Sequence, residues 1–351
     1  MSPTLRARRS ATGAVLVVLL GLLAACSGAS GQDEDPASSG SSAEVDPEAL
    51  TAQHAQALAE STATVEAAVE QAEADAPLPS TTVPTLGDDL LYSRADLGEC
   101  DYGDYDTSSG ELCPRGDTDA DRTFVVLGDS HGRHWAPALD QVAEADGWTA
   151  YYLVKQQCTA SIVDVGDPRD AAPTQPWAAC ADFRDWALDQ VAELDPDVVI
   201  VSTSPPVNGV FTNRGFTREA GAMAQPYRNG FDDLFAQIAD VTDARTVLLE
   251  DIPVRAAGTE AEVCLTQDTN TQADCLSPED ADPATVQLTA ASVRAAEASD
   301  VETVDPAPLV CFQGSCPGVI DGDILPYRGR NHLTVEYVDT LASPLASLLG
   351  L

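Results

Sequence analysis

From about residue 88 onward, short apolar runs alternate with longer segments of mixed apolar and polar positions. The apolar runs predict five strands and the mixed segments five helices. Strands of this kind, alternating with helices, indicate a parallel sheet covered on both faces. The sequence therefore predicts an α/β fold whose functional residues lie at the carboxyl ends of the strands. The predicted strands are 123–127, 149–154, 197–201, 246–249 and 301–304, and the predicted helices are 132–145, 183–194, 231–241, 283–298 and 334–349.

Upstream of this pattern, residues 47–74 are rich in alanine and glutamate, which favour a helix. The apolar positions of this segment are small and sparse, which predicts either a stalk or a helix packed loosely on the domain. Pro77, Pro79 and Pro84 follow it and indicate a linker. We therefore expect a helical stalk and proline-rich linker over residues 46–87, followed by one domain over 88–351.

The first 25 residues have the pattern of a signal peptide. Three arginines, Arg6, Arg8 and Arg9, precede an apolar run at 14–23. That run is too short to span a bilayer, which needs about 20 apolar residues, but it has the length of a signal-peptide core. The segment predicts export of the chain.

The apolar run ends in Leu23-Ala24-Ala25-Cys26, which resembles the lipobox of bacterial lipoproteins. The resemblance implies cleavage before Cys26, lipidation of its thiol, and a location on the outer face of the cytoplasmic membrane. The Ser- and Gly-rich residues that follow would then form a tether over 26–45. The alternative is ordinary secretion, with cleavage near Ala25 and an incidental cysteine.

Eight further cysteines fall into four pairs of near neighbours along the chain. An exported chain with an even number of cysteines is expected to form disulfides. Zinc is the alternative, but Cys-x-x-Cys spacing is missing and the cysteines are scattered. We expect no metal and predict sequential pairing among the 105 possible connectivities. The predicted disulfides are Cys100–Cys113, Cys158–Cys180, Cys264–Cys275 and Cys311–Cys316.

The chain is strongly acidic, with 57 Asp and Glu against 18 Lys and Arg and a net charge of −39. Such a charge repels nucleic acids and anionic lipid headgroups. Nucleic-acid binding is therefore excluded, and contact with the membrane is expected only through the lipid anchor. We attribute the acidity to solubility, or to a high-GC or salt-adapted source.

The clearest motif for chemistry is Gly128-Asp129-Ser130-His131-Gly132, directly after the first predicted strand. Glycine allows a tight turn, and the serine then stands at the start of a helix. Its backbone N–H and the helix dipole can stabilise an oxyanion there. The motif predicts Ser130 as a nucleophile, although Asp-Ser also commonly caps helices. The G-x-S-x-G motif of α/β-hydrolases is missing.

A serine nucleophile needs a nearby base. The chain has four histidines, His54, His131, His134 and His332. His54 lies in the predicted stalk and is expected to be solvated, while His131 and His134 share the turn and helix of Ser130. His332 precedes the last helix and can reach the same sheet edge, so we predict it as the base. The alternative is that His332 caps the helix, or that its ring nitrogens are hydrogen-bonded within the core.

Gly128-Asp129-Ser130-His131 and Asn331-His332-Leu333-Thr334 together resemble the SGNH domains that follow acyltransferase-3 domains in surface-polysaccharide O-acetyltransferases. The resemblance covers about residues 91–351. It implies a flavodoxin-like three-layer α/β/α sandwich and an acyl-serine intermediate, with Ser130 as nucleophile and His332 as base. It also implies a cell-wall or surface polysaccharide as partner, and a separate membrane acyltransferase as source of the acyl group.

The chain departs from this family in two places. Gly329 stands where the aspartate that orients the histidine is usual, three residues before it. Asp321, Asp323 or a backbone carbonyl could orient the ring instead. A Gly-x-Asn-Asp motif is also missing after the third strand, which leaves Asn208, Ser204 and the N–H of Ser130 as candidate oxyanion donors.

We therefore predict a serine esterase or O-acyltransferase that acts on cell-envelope carbohydrate. No phosphate-binding loop or dinucleotide motif is present, so no cofactor is expected. The alternative is a catalytically impaired envelope protein of the same fold that binds glycan or a partner acyltransferase. A carboxylate near His332 would favour the enzyme, and an Arg330 side chain that blocks the pocket would favour the binder.

Overall fold

The computed structural model describes residues 47–351. The predicted signal peptide, Cys26 and the whole of the predicted tether lie outside the described residues. Within residues 47–351, no helix has the length and hydropathy needed to cross a membrane.

The described strands are β1 (Arg115–Gly116), β2 (Thr123–Gly128), β3 (Thr149–Val154), β4 (Val198–Ser202), β5 (Val210–Thr212), β6 (Gly215–Thr217), β7 (Arg245–Leu249), β8 (Ser277–Pro278), β9 (Glu302–Val304), β10 (Ser315–Cys316), β11 (Tyr327–Arg328) and β12 (His332–Leu333). The described helices are α1 (Pro47–Glu73), α2 (Asp88–Tyr92), α3 (Ser130–His134), α4 (Ala136–Asp146), α5 (Ala178–Leu194), α6 (Ala220–Val241), α7 (Ala261–Cys264), α8 (Pro283–Ala298), α9 (Val335–Val338) and α10 (Ala342–Leu349).

Six strands form the central sheet, in the order β1-β3-β2-β4-β7-β9. The inner strands are parallel, and only the two-residue edge strand β1 runs antiparallel to its neighbour. Because β3 and β4 lie on opposite sides of β2, the order of the strands reverses at β2. Ligands bind at such switch points in open parallel sheets, so the residues after β2 occupy the favoured position.

Alternate residues of the strands supply two hydrophobic cores, one on each face of the sheet. Phe124 and Val126 of β2 belong to the core that also contains Leu139 of α4. Val125 and Leu127 belong to the other core, with Phe231 of α6. Side chains of a strand alternate between faces, so a wholly apolar strand must be covered on both. This confirms the predicted three-layer α/β/α sandwich with a mostly parallel sheet.

The five predicted strands are present, but four helices differ from the expectation. Helix α5 begins at Ala178, five residues earlier than predicted. The segment predicted as one helix over 132–145 is two helices, α3 and α4, that meet at Trp135. Helix α6 begins at Ala220, eleven residues earlier than predicted, and contains Pro226. The last predicted helix is divided into α9, a 3-10 turn over Asp339–Leu341, and α10.

Helix α1 is part of the folded domain rather than a stalk. Its Val65 and Ala68 belong to the same core as Leu345 of α10. His54 is buried rather than solvated, and its Nε2 lies 3.0 Å from Oδ2 of Asp146. The small residues that suggested loose packing allow the two helices to approach closely. The start of the domain therefore lies upstream of residue 88.

Four disulfides lie within residues 47–351, and they join the four pairs that sequential pairing predicts: Cys100–Cys113, Cys158–Cys180, Cys264–Cys275 and Cys311–Cys316. None of their cysteines lies in a strand of the central sheet. Cys158–Cys180 links the segment after β3 to the first turn of α5.

Candidate active site

The backbone at the end of β2 passes very close to β4. A Cβ atom on Gly128 would lie 1.8 Å from the carbonyl oxygen of Ser202, and one on Gly132 would lie 2.7 Å from the same oxygen. Any larger residue would push the turn away from β4. The two glycines therefore let the chain turn directly from β2 into α3, which begins at Ser130.

Asp129 braces this turn. Its buried carboxylate accepts hydrogen bonds from the backbone N–H of His131 at 2.8 Å and from the hydroxyl of Ser204 at 2.7 Å. Burial raises the pKa of Asp129, although these hydrogen bonds and His131 oppose the shift. Asp129 thus connects the β2 turn to the loop after β4, as a structural side chain rather than an acid.

Ser130 and His332 form a hydrogen-bonded pair at the carboxyl edge of the sheet. The Ser130 Oγ and the His332 Nε2 are 2.9 Å apart, although 202 positions separate the residues in sequence. His332 lies in β12, which pairs antiparallel with β11 and places Arg328 opposite it. Gly329 in the turn of this hairpin has a φ of +61°, a backbone conformation that favours glycine.

The surroundings of His332 hold its imidazole neutral. Burial lowers its pKa far below the ordinary value of 6.5. His131, when it is protonated, and the positive charges of Arg328 and Arg133 lower it further. A neutral imidazole can accept a proton at Nε2. The pair therefore has the geometry and the protonation state of a serine and its general base.

The histidine is oriented by its neighbour in sequence rather than by a carboxylate. The Nδ1 of His332 lies 3.1 Å from Oδ1 of Asn331. Neither Asp321 nor Asp323 is a hydrogen-bond partner of His332 in the described part of the chain. Asp321 is exposed and borders grooves beside α1, and the backbone carbonyl of Asp323 accepts from the N–H of Val83. The expectation that one of them orients the ring was wrong, because the loop that carries them packs toward α1.

The two predicted side-chain oxyanion donors are occupied elsewhere. The N–H and hydroxyl of Ser204 both donate to Asp129. The Nδ2 of Asn208 donates to the carbonyl of Gly166. The third candidate donor is the backbone N–H of Ser130. It has no partner within α3, because the first N–H groups of a helix have no partner within that helix.

Arg330 does not block the serine–histidine pair. Its Nε donates to the carbonyl of Arg255 at 2.7 Å, and its guanidinium lies 3.8 Å from Asp282. The feature that would have favoured a purely binding protein is therefore not observed.

Sequence reasoning missed two residues beside this pair. His131 donates from Nδ1 to Oδ1 of Asp251, at 2.6 Å, and its Nε2 lies 3.3 Å from Nδ2 of Asn331. Asp251 lies two residues after β7, so its position just beyond the carboxyl end of a predicted strand was a signal that could have identified it. His131 was set aside because it shares the turn of Ser130, and its contact with Asn331 needs the tertiary fold.

The fold and the pair define a class: a doubly wound α/β protein with a hydrolase-type serine–histidine pair at its switch point. Residues 99–347 match the model of the family described as SGNH domain (fused to AT3 domains). The match covers more than half of the chain, so this protein belongs to that family. The family resemblance of the two end motifs is confirmed.

Several solved structures are similar to this chain. The periplasmic domain of a lipopolysaccharide acetyltransferase from Salmonella ser. Paratyphi A is 12% identical, with a TM-score of 0.47 over 67% of this chain and 84% of that one. A carbohydrate acetylesterase from Sinorhizobium meliloti is 15% identical, with a TM-score of 0.39 over 65% of this chain and 98% of that one. An aryl esterase from M. Smegmatis is 15% identical, with a TM-score of 0.40 over the same shares. No curated protein matches the chain.

Proposed function

We propose that this protein is an extracytoplasmic serine esterase or O-acyltransferase that acts on cell-envelope carbohydrate. The observation that supports it best is the 2.9 Å hydrogen bond between Ser130 Oγ and the neutral His332 Nε2. Membership of the SGNH family supports the same chemistry. The name of that family, which refers to fusion with AT3 domains, supports a role in acyl transfer.

In the first half of the reaction, Ser130 Oγ attacks the carbonyl carbon of an acyl ester while His332 Nε2 takes the hydroxyl proton. The carbonyl oxygen becomes an oxyanion, which the backbone N–H of Ser130 stabilises. The intermediate then collapses, the bond to the leaving alcohol breaks, and His332 returns the proton to that alcohol. An acyl-serine remains.

In the second half, a hydroxyl group attacks the acyl-serine and His332 takes its proton. The bond between Ser130 Oγ and the acyl carbon breaks, and the proton returns to Oγ. Attack by water makes the protein an esterase, and attack by a sugar hydroxyl makes it an acyltransferase. For transfer, a separate membrane acyltransferase would supply the acyl group.

The proposed site of action is the outer face of the cytoplasmic membrane, with the chain anchored through a lipid on Cys26. The four disulfides support an oxidising compartment. Metabolic labelling with a palmitate analogue, compared between the parent and Cys26→Ser, tests the anchor.

One observation favours the second candidate, a protein that binds glycan or an acyltransferase without catalysis. An amide, Asn331, contacts the ring of His332 where serine hydrolases usually place a carboxylate. Replacing that carboxylate with an amide can lower turnover by a factor of about 10⁴ in a serine protease.

Hydrolysis of p-nitrophenyl acetate by the full chain separates the two candidates. We expect Ser130→Ala and His332→Ala each to remove most of the activity, and the exposed Ser299→Ala to leave it unchanged. Release of acetate from an O-acetylated polysaccharide then tests the carbohydrate. A parent without activity on either substrate, or a Ser130→Ala variant as active as the parent, would favour the binding protein.

A further inference from the structure

A chain of hydrogen bonds leads from Ser130 to a buried carboxylate. It runs from Ser130 through His332, Asn331 and His131 to Asp251, with heavy-atom distances of 2.9, 3.1, 3.3 and 2.6 Å. The side chains of His131 and Asp251 are 2% and 3% exposed. The inner end of the chain is therefore shielded from water, which would otherwise compete for each of these bonds.

The carboxylate sets the direction of every bond in this chain. Asp251 can only accept, so Nδ1 of His131 carries a hydrogen and Nε2 of a neutral ring is left as an acceptor. The amide group of Asn331 must then donate to that Nε2, which leaves its Oδ1 to accept from Nδ1–H of His332. The remaining nitrogen of His332, Nε2, is unprotonated and faces the hydroxyl of Ser130.

We propose that Asp251, acting through His131 and Asn331, holds His332 in the tautomer that accepts the proton of Ser130, and so replaces the aspartate that is missing at Gly329. This inference rests on the function proposed above. Asp251, His131 and Asn331 are positioning residues, because none of them touches the reacting atoms.

The surrounding contacts support a fixed orientation of this relay. The backbone N–H of Ile252 donates to Oδ1 of Asp251 at 2.9 Å, the same oxygen that His131 contacts. His134 lies beside the relay, with its ring centroid 5.3 Å from that of His131. It is buried, and neither of its ring nitrogens has a hydrogen-bond partner among the described residues. His134 thus fills space next to the relay without competing for its bonds.

Asp251→Leu should reverse the relay. A hydrogen on Nδ1 of His131 would then have no acceptor, so it would move to Nε2, which would donate to Asn331. The Asn331 amide would turn, donate to Nδ1 of His332, and leave a hydrogen on Nε2, facing Ser130. We expect kcat to fall by up to about 10⁴-fold, the loss that a wrong tautomer causes in a serine protease.

Asn331→Asp should rescue this variant. A carboxylate at 331 accepts from Nδ1–H of His332 whatever the state of His131, so the double variant Asp251→Leu/Asn331→Asp should recover most of the parent activity. Asp240→Leu, at an exposed carboxylate on α6, is the matched control and should not change kcat. A structural role of Asp251 would not be relieved by a change at residue 331. Loss of activity in Asp251→Leu without recovery in the double variant would overturn the proposal.

Imidazole ¹⁵N NMR of the full chain measures the tautomer without activity. In the parent, Nδ1 of His332 and Nδ1 of His131 should be protonated, and in Asp251→Leu the hydrogen should move to Nε2 of both rings. If Asp251→Leu does not fold, the parent spectrum alone decides, since a hydrogen on Nε2 of His332 overturns the relay. An inactive parent with the expected tautomers would contradict the proposed function and leave the relay standing. An active parent whose Asp251→Leu variant is fully active would support the proposed function and overturn the relay.

Discussion

His131 and His332 lie side by side, with ring centroids 4.7 Å apart, and their surroundings shift their pKa values in opposite directions. Burial lowers the pKa of His131, but Asp251 and then Asp129 outweigh it, so the pKa lies above the ordinary 6.5. Burial and nearby positive charges lower the pKa of His332. On acidification, His131 is therefore the first of the two to gain a proton. The titratable and charged groups that face it are Asp251, Asp129, His134, His332 and Arg328.

The order in which the two histidines gain a proton predicts the pH dependence of the proposed reaction. A protonated His131 must donate from Nε2, which turns the Asn331 amide and removes the acceptor from His332. Activity is then present above the pKa of His131 and is lost as the pH falls through it. We expect the acid limb of kcat/KM to lie above pH 6.5, and Asn331→Asp to remove that inflection. An acid limb at the same pH in both proteins would contradict this assignment.

At the scale of elements, the position of the nucleophile depends on the approach between β2 and β4 rather than on α3 itself. Helix α3 has only five residues, and its first residue is the serine. Gly128 and Gly132 bring the turn against the carbonyl of Ser202, while Asp129 ties it to Ser204. Three residues of the motif, Gly128, Asp129 and Gly132, thus shape the backbone, which leaves Ser130 and His131 for the proposed chemistry.

The packing of α1 can be tested with the same substitution at two adjacent positions. Ala68 is 5% exposed within the core, whereas Ala67 is exposed. Ala68→Leu should overpack the contact with the domain and lower the free energy of unfolding by about 1–3 kcal/mol. Ala67→Leu should change it little, because both residues favour helix. Denaturant unfolding measures both, and equal stabilities would mean that the helix does not pack on the domain.

At the scale of the whole molecule, the four disulfides close loops of different lengths. Cys158–Cys180 spans 22 positions and Cys311–Cys316 spans five. Loop-closure entropy predicts stabilisations of about 3 and about 2 kcal/mol. We therefore expect the double alanine variant of Cys158 and Cys180 to lose more stability than that of Cys311 and Cys316. Thermal unfolding under non-reducing conditions tests this, and the reverse order would show that native-state contacts outweigh loop entropy.

The acidic composition also affects the behaviour of the whole molecule. The three arginines of the predicted signal peptide would leave with it, so the processed chain is more acidic than the net charge of −39 for the whole sequence. Repulsion from anionic surfaces favours solubility but not attachment. A covalent lipid would therefore have to hold the chain at the membrane, which is consistent with the proposed role of Cys26.

Features that depend on residues close together along the chain could be predicted from the sequence. Five apolar strands were correctly predicted because burial on both faces of a sheet requires continuous apolar runs. Ser130 was recognisable because the motif that positions it is contiguous. The disulfide partners were also near neighbours along the chain.

Contacts between distant segments could not be predicted before the fold was known. His131 and Asp251 are 120 positions apart, and His131 and Asn331 are 200 apart, so no local pattern relates them. Helix α1 was misread as a stalk because its small residues carry little hydrophobic signal until α10 is placed against them. The direction of hydrogen bonds in the site likewise depends on one buried carboxylate, whose partners are chosen by the fold and not by sequence spacing.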